Sequence, residues 1–144
     1  MSDTLHVVCP ECNTTNRVLR ARLDAGATCG SCRAQLVPKH PVELTPAGFD
    51  RQIAANDLPV VVDFWAPWCG PCRSMAPAYE QAALALAPGI RLFKLNTEEA
   101  PDVAARFGIR SIPTLIAFRN GREVARQSGA MNLPGLVGWV RAHA

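Results

Sequence analysis

The sequence predicts an α/β fold, a central mixed sheet flanked by helices, preceded by a small cysteine-rich domain. From residue 42 onwards, short apolar runs alternate with longer segments of helical periodicity, which is typical of strands and crossover helices. Before residue 38, two CxxC pairs occur in a segment with few large apolar side chains. We therefore expect a first domain at residues 1–37, a proline-containing linker at 38–41 and a main domain at 42–144.

The four cysteines of the first domain have the spacing of a zinc site. Cys9 and Cys12 are separated from Cys29 and Cys32 by sixteen residues, which gives the pattern C-x2-C-x16-C-x2-C. Two CxxC turns can direct four sulfur atoms at one ion and complete the tetrahedral shell of a structural zinc. A segment of about 40 residues also needs a metal or disulfides to fold. The sequence therefore predicts Zn²⁺ bound by these cysteines in a zinc-ribbon-like domain, and Gly30 can take the left-handed conformation that such turns often need.

Alternatives exist for these cysteines and for their ligand set. The four thiols could instead form two disulfides or a redox-active set, although a reducing compartment favours the metal. His6 and His40 flank the segment and could each replace a cysteine, but four cysteines already complete the shell. His143, near the end of the last predicted helix, is expected to be solvated.

The first half of the main domain is predicted from helix caps and apolar runs. Residues 42–44 are a short strand candidate, and Thr45 with Pro46 supplies an N-cap and a first-turn proline, so a helix is expected to begin there. Residues 60–65 are apolar enough for a buried strand. The helix that follows runs to about residue 86, with core-facing residues at helical spacing: Met75, Tyr79, Ala82, Ala83 and Leu86.

The second half of the main domain adds three strands and two helices. Residues 90–95 are a predicted strand, and residues 101–107 are a short helix that Gly108 ends. Residues 114–118 and 123–127 are expected to pair antiparallel across the turn of Asn120 and Gly121. Asn132 then caps the last helix. This alternation predicts helices on both faces of one mixed sheet.

A third cysteine pair, Cys69 and Cys72, lies where the buried strand meets the long helix. Residues three apart lie on one face of a helix, so the two sulfur atoms are close enough to bond. The free N–H groups and the positive end of the helix favour an anion, which lowers the pKa of the Cys69 thiol and makes it the nucleophile. Gly70 and Pro71 keep the loop tight, and Pro71 has no N–H to leave unpaired at the helix start.

The run from Trp68 to Cys72, Trp-Cys-Gly-Pro-Cys, resembles the active site of the thioredoxins. With the order of elements around it, the resemblance implies a thioredoxin fold from about residue 41 to the end. Together with the four-cysteine segment, the chain resembles the zinc-binding bacterial thioredoxins. The resemblance implies a protein-disulfide reductase that cycles between a Cys69/Cys72 dithiol and disulfide. It also implies that electrons come from NADPH through thioredoxin reductase, and that the substrates are disulfide-containing proteins.

Asp63 and Lys94 are further candidate catalytic residues. Asp63 lies in the buried strand, where a carboxylate is costly and where burial raises its pKa toward the range of a general base. The resemblance implies that Asp63 accepts the proton of Cys72, through water, and that Lys94 lies near Asp63. In the alternative interpretation, Asp63 lies at an edge and Lys94 in solvent.

A protein-docking surface beside the cysteines is implied by the resemblance alone. The turn at Ile112 and Pro113 matches the family's cis-proline turn, which presents backbone to an extended substrate. Trp65 and Trp139 are expected to be structural. The predicted docking residues are Trp68, Gly70, Pro71, Ile112, Pro113, Gly129 and Ala130.

Composition narrows the partners and the compartment. The formal net charge is +3 and the basic residues are spread along the chain, which argues against nucleic-acid binding. No apolar run approaches the roughly 18 residues of a membrane span, and residues 1–8 lack the pattern of a signal peptide. We therefore expect a cytoplasmic protein without membrane or nucleic-acid partners, and a monomer. The chain has no nicotinamide or flavin motif, so no cofactor is expected to be bound for catalysis.

Two other functions remain open from the sequence. In a redox sensor, oxidation would eject zinc, unfold the first domain and change activity or expose a chaperone-like surface. In a binding module, the zinc ribbon would recruit a partner for the domain behind it.

Overall fold

The computed structural model describes residues 3–144, so Met1 and Ser2 of the predicted first domain lie outside the described residues. The first domain contains an antiparallel hairpin of β1 (Thr4–Val8) and β2 (Thr15–Leu19), followed by a 3-10 turn at Arg20–Arg22. These two strands were not predicted from the sequence.

The main domain contains five strands and four helices. In chain order they are β3 (Val42–Glu43), α1 (Phe49–Ala55), β4 (Val60–Trp65), α2 (Gly70–Leu86), β5 (Arg91–Asn96), α3 (Pro101–Arg106), β6 (Thr114–Arg119), β7 (Arg122–Ser128) and α4 (Leu133–His143). The strands form one sheet in the order β3-β5-β4-β6-β7. The first three are parallel and the last two antiparallel to their neighbours, which confirms the predicted mixed sheet. None of the helices in residues 3–144 combines the length and apolar character needed to cross a bilayer.

The sheet separates two apolar layers, and the central strand β4 contributes to both. Val62 belongs to the layer that contains Phe49 of α1, whereas Val61 belongs to the layer that contains Tyr79 of α2. Successive side chains of a strand point to opposite faces. Asp63 therefore lies on the same face as Val61, under α2, which is the helix that carries the two cysteines.

Helix α1 begins later than predicted. Its N-cap is Gly48 and its first residue is Phe49, so the prediction of a helix start at Thr45 and Pro46 is wrong. Thr45 instead closes a turn, because its carbonyl oxygen and its hydroxyl both accept hydrogen bonds from the N–H of Gly48, at 3.2 and 3.0 Å. Gly48 also lies against the first domain. A Cβ atom there would be 2.8 Å from side-chain atoms of Asn13, so a larger residue would require the Asn13 side chain to move.

Turn and cap predictions elsewhere in the main domain are confirmed. Asn120 and Gly121 both have positive φ, 52° and 80°, as a two-residue hairpin turn between β6 and β7 requires. Gly108, with φ of 63°, follows the end of α3. Asn132 caps α4 by accepting a hydrogen bond from the N–H of Gly135 at 2.9 Å.

The two domains pack against each other through α1 and the loop that follows it. Leu58, in this loop, belongs to the apolar core of the first domain together with Val7. The N–H of Asp57 donates to the carbonyl oxygen of His6 at 2.9 Å. The division of the chain at residues 37 and 42 stays a prediction, but the contact between its two parts fixes where the four-cysteine segment lies relative to the sheet.

Candidate functional site

Cys69 and Cys72 form a disulfide at the start of α2. Their Cα atoms are 5.2 Å apart, and Cys69 is the N-cap residue of the helix. The N–H of Cys72 donates a hydrogen bond to Sγ of Cys69 at 3.1 Å. A backbone N–H at a helix N-terminus stabilises negative charge, so this contact favours the thiolate of Cys69 once the disulfide is reduced.

The cysteine pair is largely covered by its surroundings. Cys69 is 4% exposed and Cys72 is 3% exposed. The carbonyl oxygen of Ile112 lies 3.7 Å from Sγ of Cys69, and the peptide bond between Ile112 and Pro113 is cis. Trp65 packs on the same small cluster. Only a small part of Cys69 is therefore exposed, beside the carbonyl group of Ile112.

The predicted docking residues differ in how they are exposed. Trp68 is 66% exposed, whereas Pro113 is buried. The N–H of Gly129, a residue with φ of 96°, donates to the carbonyl oxygen of Pro113 at 2.9 Å, which holds Gly129 beside the cis-proline turn. Ile112 is half-buried, and the remaining members are exposed: Gly70, Pro71, Gly129 and Ala130.

A shallow groove of about 160 Å³ lies between Trp68 and Ile112. It is bordered by α3 and by the loops before and after that helix, which are brought together only in the fold. No local pattern in the sequence marks the other residues that line this groove, which are Thr97, Ala104, Ile109, Arg110 and Ser111.

Asp63 is 2% exposed, and its Oδ1 has no hydrogen-bond partner within residues 3–144. Burial raises the pKa of the Asp63 carboxyl to about 7, while Lys94 opposes this shift and Glu43 adds to it. A carboxyl that titrates near neutral pH can take up and release a proton during turnover. The alternative of an edge position is wrong, because β4 lies between β5 and β6 in the sheet.

Lys94 is the neighbour of Asp63 across the sheet, since the two residues are Cα partners on β5 and β4. Its Nζ lies 4.1 Å from the centroid of the Trp65 ring, which is a cation–π contact. Among the described residues, no ion pair joins Lys94 to Asp63. The lysine is half-buried rather than free in solvent, and it acts on Asp63 through charge rather than direct contact.

The four cysteines of the first domain come together in one cluster. All four Sγ atoms lie within 4.8 Å of one another, with 3.5 Å between those of Cys9 and Cys32 and 3.6 Å between those of Cys12 and Cys29. A tetrahedral Zn²⁺ with Zn–S bonds of about 2.3 Å needs sulfur atoms about 3.8 Å apart. The donor set and its spacing therefore suit zinc.

Backbone N–H groups in the two CxxC turns point at the sulfur atoms that would bind the metal. The N–H of Glu11 donates to Sγ of Cys9 at 3.4 Å, and the N–H of Ser31 donates to Sγ of Cys29 at 3.3 Å. The N–H of Cys32, and next the Asn16 side chain, lower the pKa of Cys29 to about 6. At Cys29 this favours the thiolate form that a metal ligand requires. At Cys32 the shift is opposite: although the N–H of Ala34 lowers the pKa of this thiol, hydrogen bonding with Cys9 and burial raise it above its usual value.

The residues that adopt the left-handed conformation in these two turns do not include Gly30. Asn13 and Arg33, each directly after the second cysteine of its pair, have positive φ of 62° and 67°. In both turns the left-handed residue donates its N–H to the first cysteine's carbonyl oxygen at 3.0 Å, so the chain reverses after the second cysteine rather than within the pair.

The two flanking histidines do not join the cysteine cluster. Nδ1 of His6 lies 3.2 Å from Oδ2 of Asp57 at the domain contact, and Nδ1 of His40 lies 3.0 Å from the carbonyl oxygen of Pro41. His143 is exposed at the end of α4 and packs against Trp139 in a tilted arrangement, with ring centroids 5.4 Å apart. Within residues 3–144, the metal-binding group contains only cysteines.

A buried polar network, which the sequence analysis missed, connects the first CxxC turn to the main domain. Nε2 of Gln52 donates to the carbonyl oxygen of Cys9 at 2.9 Å. Oδ1 of Asn56 accepts hydrogen bonds from the N–H of Val8 at 2.8 Å and from Nη1 of Arg91 at 3.1 Å. Burial lowers the pKa of Arg91 to about 10, so its guanidinium stays charged at neutral pH. In the sequence, the sign that could have revealed this network is Arg91, a charged residue at the start of strand β5, next to apolar residues.

Comparison with known proteins covers both parts of the chain. The family model described as Thioredoxin matches residues 40–142, and the zinc-ribbon model described as Thioredoxin 2, N-terminal, matches residues 8–34. The chain is 42% identical over 134 residues to Thioredoxin C-3 of Corynebacterium nephridii, which is 93% of this chain and 92% of that protein. It is 47% identical over 89 residues to a thioredoxin of Porphyra purpurea, which is 62% of this chain and 83% of that protein. It is 37% identical over 102 residues to a thioredoxin of Haemophilus influenzae, which is 71% of this chain and 95% of that protein.

Proposed function

The chain belongs to the thioredoxin family of thiol-disulfide oxidoreductases, and we propose that it reduces disulfide bonds in other proteins through a Cys69/Cys72 cycle. The observation that carries this proposal is the Cys69–Cys72 disulfide at the N-cap of α2, with the N–H of Cys72 directed at Sγ of Cys69. This arrangement makes the two sulfur atoms an electron store and makes one of them a nucleophile.

Reduction of a substrate begins at the thiolate of Cys69. Sγ of Cys69 bonds to one sulfur of the substrate disulfide, and the other substrate sulfur leaves as a thiolate that takes up a proton. Before the attack, the Cys69 thiolate is stabilised by the N–H of Cys72 and by the positive end of the helix dipole. The product is a mixed disulfide between Cys69 and the substrate.

Release of the substrate requires the thiolate of Cys72. Asp63 accepts the Cys72 proton, because its buried carboxyl titrates near neutral pH and has a free Oδ1. Sγ of Cys72 then bonds to Sγ of Cys69, the bond between Cys69 and the substrate sulfur breaks, and that sulfur leaves as a thiolate that takes up a proton. Two electrons have passed to the substrate, and the chain holds the disulfide that the structure contains. Lys94 tunes Asp63 through its charge from the neighbouring strand.

Substrate docks on the surface around the disulfide. The exposed Trp68 and the backbone of Ile112, whose carbonyl oxygen faces Cys69, are its most direct contacts. An extended substrate segment can hydrogen-bond to backbone there. The docking residues proposed are Trp68, Gly70, Pro71, Ile112, Pro113, Gly129 and Ala130.

The four-cysteine cluster is proposed as a structural zinc site. Cys9, Cys12, Cys29 and Cys32 complete a closed shell, which leaves no open position for a substrate. When bound, Zn²⁺ supplies a cross-link between the two CxxC turns of a domain with a small apolar core. The zinc therefore serves folding rather than electron transfer.

The electrons are proposed to come from NADPH through thioredoxin reductase, with no cofactor bound to this chain for catalysis. Family membership supports the reductase and disulfide-containing proteins as partners. We further propose that the protein works as a monomer in the cytoplasm, without nucleic-acid or membrane partners.

The proposal is tested with the zinc-loaded full chain, insulin as the disulfide substrate and dithiothreitol as the electron source. When it is reduced beforehand and mixed with insulin after removal of the dithiothreitol, Cys72→Ser is expected to stop at the mixed disulfide and accumulate a covalent adduct with insulin. Cys69→Ser is expected to lose both turnover and adduct. Turnover by Cys69→Ser at the wild-type rate, or an adduct in Cys69→Ser instead of Cys72→Ser, contradicts the assigned roles.

A redox sensor is the second candidate, because Cys12 and Cys32 are exposed and an oxidant can reach them. One redox titration that follows zinc release and tryptophan fluorescence separates the two candidates, since Trp65 packs beside the active-site disulfide. For a reductase with a structural ribbon, fluorescence changes while zinc stays bound. If zinc leaves together with active-site oxidation, the sensor function replaces the proposal.

A further inference from the structure

Three charged residues of alternating sign lie side by side across the sheet. Glu43 on β3 is the Cα partner of Lys94 on β5, and Lys94 is the Cα partner of Asp63 on β4. Partners on adjacent strands point to the same face and lie about 5 Å apart. Glu43, Lys94 and Asp63 therefore form a charge row, negative, positive and negative, that runs from the sheet edge to the buried carboxyl.

Glu43 uses both carboxylate oxygens within this region. Oε1 accepts a hydrogen bond from Nε1 of Trp65 at 2.9 Å, and Oε2 accepts one from the N–H of Asn96 at 2.8 Å. Lys94 lies over the face of the same Trp65 ring, with Nζ 4.1 Å from the centroid. The Trp65 indole is thus held at its edge by the Glu43 carboxylate and on its face by the Lys94 ammonium group. The same ring packs against the small cluster that contains Cys69 and Cys72.

We propose that Glu43 is a positioning residue of the active site, which fixes Trp65 beside the cysteines and shares the positive charge of Lys94 with Asp63. This inference rests on the proposed role of Asp63 as the proton acceptor. Without Glu43, Lys94 has a single buried carboxylate to stabilise. When Glu43 is present, its negative charge cancels part of the electrostatic effect of Lys94 at Asp63. Asp63 then releases its proton at a higher pH.

The groups around Asp63 support this assignment. Burial raises the pKa of Asp63 to about 7, Lys94 lowers it and Glu43 raises it. On α2, Tyr79 donates its hydroxyl to the carbonyl oxygen of Phe93 at 2.8 Å, and burial raises its pKa well above its usual value, so it stays neutral.

The other neighbours of Asp63 complete this electrostatic setting. On β6 the partner of Asp63 is the apolar Leu115. Cys72 on α2 is the proposed proton donor, and Glu99 adds a negative charge near Glu43. The charges that face Asp63 from the sheet are therefore those of Lys94 and Glu43.

The test follows the titration of the Asp63 carboxyl by ¹³C NMR in the oxidised, zinc-loaded full chain, with the resonance assigned by its loss in Asp63→Asn. Glu43→Gln and Glu43→Ala both remove the charge, and circular dichroism verifies their fold. Each is expected to lower the Asp63 midpoint by roughly half to one pH unit. Glu80→Gln, which removes an exposed charge from α2, is the matched control and is expected to leave the midpoint unchanged.

The pH profile of insulin reduction supplies a second readout. Glu43→Gln is expected to move the profile to lower pH in the wild-type background and to have no such effect when Asp63 is replaced by Asn. An unchanged midpoint in both Glu43 variants, or an equal shift in Glu80→Gln, overturns the inference. If Asp63→Asn itself leaves the profile unchanged, the proposed role of Asp63 fails, while the NMR midpoint still decides whether Glu43 acts on Asp63.

Discussion

Gln52 and Cys9 join the two halves of the molecule through one buried hydrogen bond. Nε2 of Gln52 donates to the carbonyl oxygen of Cys9 at 2.9 Å and lies at the same distance from Oδ1 of Asn13. Gln52 is fully buried in α1, and Cys9 and Asn13 flank the first metal-binding turn. The backbone that presents one zinc ligand is therefore held by a side chain of the main domain.

Replacing Gln52 by Leu is expected to destabilise the chain and to speed zinc loss. Oδ1 of Asn13 and a lone pair of the Cys9 carbonyl would lose their partner inside the protein, which costs about 1–3 kcal/mol. Urea unfolding and zinc transfer to a chromophoric chelator measure the two effects. Arg51→Ala, which removes an exposed contact with Thr15, is the control and should change stability by less than about 0.5 kcal/mol. If both variants had the same stability and the same rate of zinc loss, the proposed stabilisation of the zinc-binding turn by Gln52 would be contradicted.

Removal of zinc under reducing conditions is expected to unfold the first domain and leave the main sheet intact. The core of the first domain is small and includes two of the cysteines themselves, so metal binding supplies much of its folding free energy. Hydrogen exchange reports this residue by residue. The N–H of Val8, bonded to Asn56, should lose protection, while that of Val61 in the central strand should keep it. Full protection of Val8 in the metal-free chain would refute the prediction.

Asp63 should make the stability of the oxidised chain fall as pH rises. Burial raises its pKa from 3.8 to about 7, so the folded chain keeps a proton that the unfolded chain releases between these values. Asp63→Asn removes this titration and is expected to be more stable than wild type at pH 8 by up to about 4 kcal/mol. The difference should shrink toward pH 4, as measured by urea unfolding. The exposed Asp102→Asn serves as control, and a difference for Asp63→Asn that does not vary with pH would count against the buried titration.

Trp68→Ala is expected to slow the reduction of insulin by about tenfold, because a large aromatic contact at a docking surface contributes roughly 1–2 kcal/mol. Reduction of a small aromatic disulfide, which needs no docking surface, should stay near the wild-type rate. Leu84→Ala is the matched control, since Leu84 is also an exposed apolar residue of similar accessibility, 61% against 66%, but lies near the C-terminal end of α2, whereas Trp68 lies just before the start of that helix. A loss of rate for both substrates would place Trp68 in the chemistry instead of the docking.

The local sequence was sufficient for the elements whose signals are short-range. The apolar run of β4 and the helical stripe of α2 follow from hydrophobic periodicity, and the turn of Asn120 and Gly121 follows from its preference for positive φ. Asp63 could be recognised because a carboxylate is out of place in an apolar strand.

The roles of residues whose partners are distant in the sequence could be recognised only in the folded structure. Gln52, Asn56 and Arg91 form an ordinary-looking polar set in the sequence, and only the docking of the first domain buries them together. The same holds for the helix start at Phe49, since nothing local shows that Gly48 packs against Asn13.

The sequence by itself determined the order of the elements in the main domain, the cysteine pairs and the family resemblance, because periodicity, caps and CxxC spacing act within a few residues of the chain. The tertiary structure alone decided that Glu43, Lys94 and Asp63 share one face of the sheet. The physical reason is register: residues twenty or more positions apart become neighbours only when parallel strands pair, and charge interactions depend on the distances that this pairing sets.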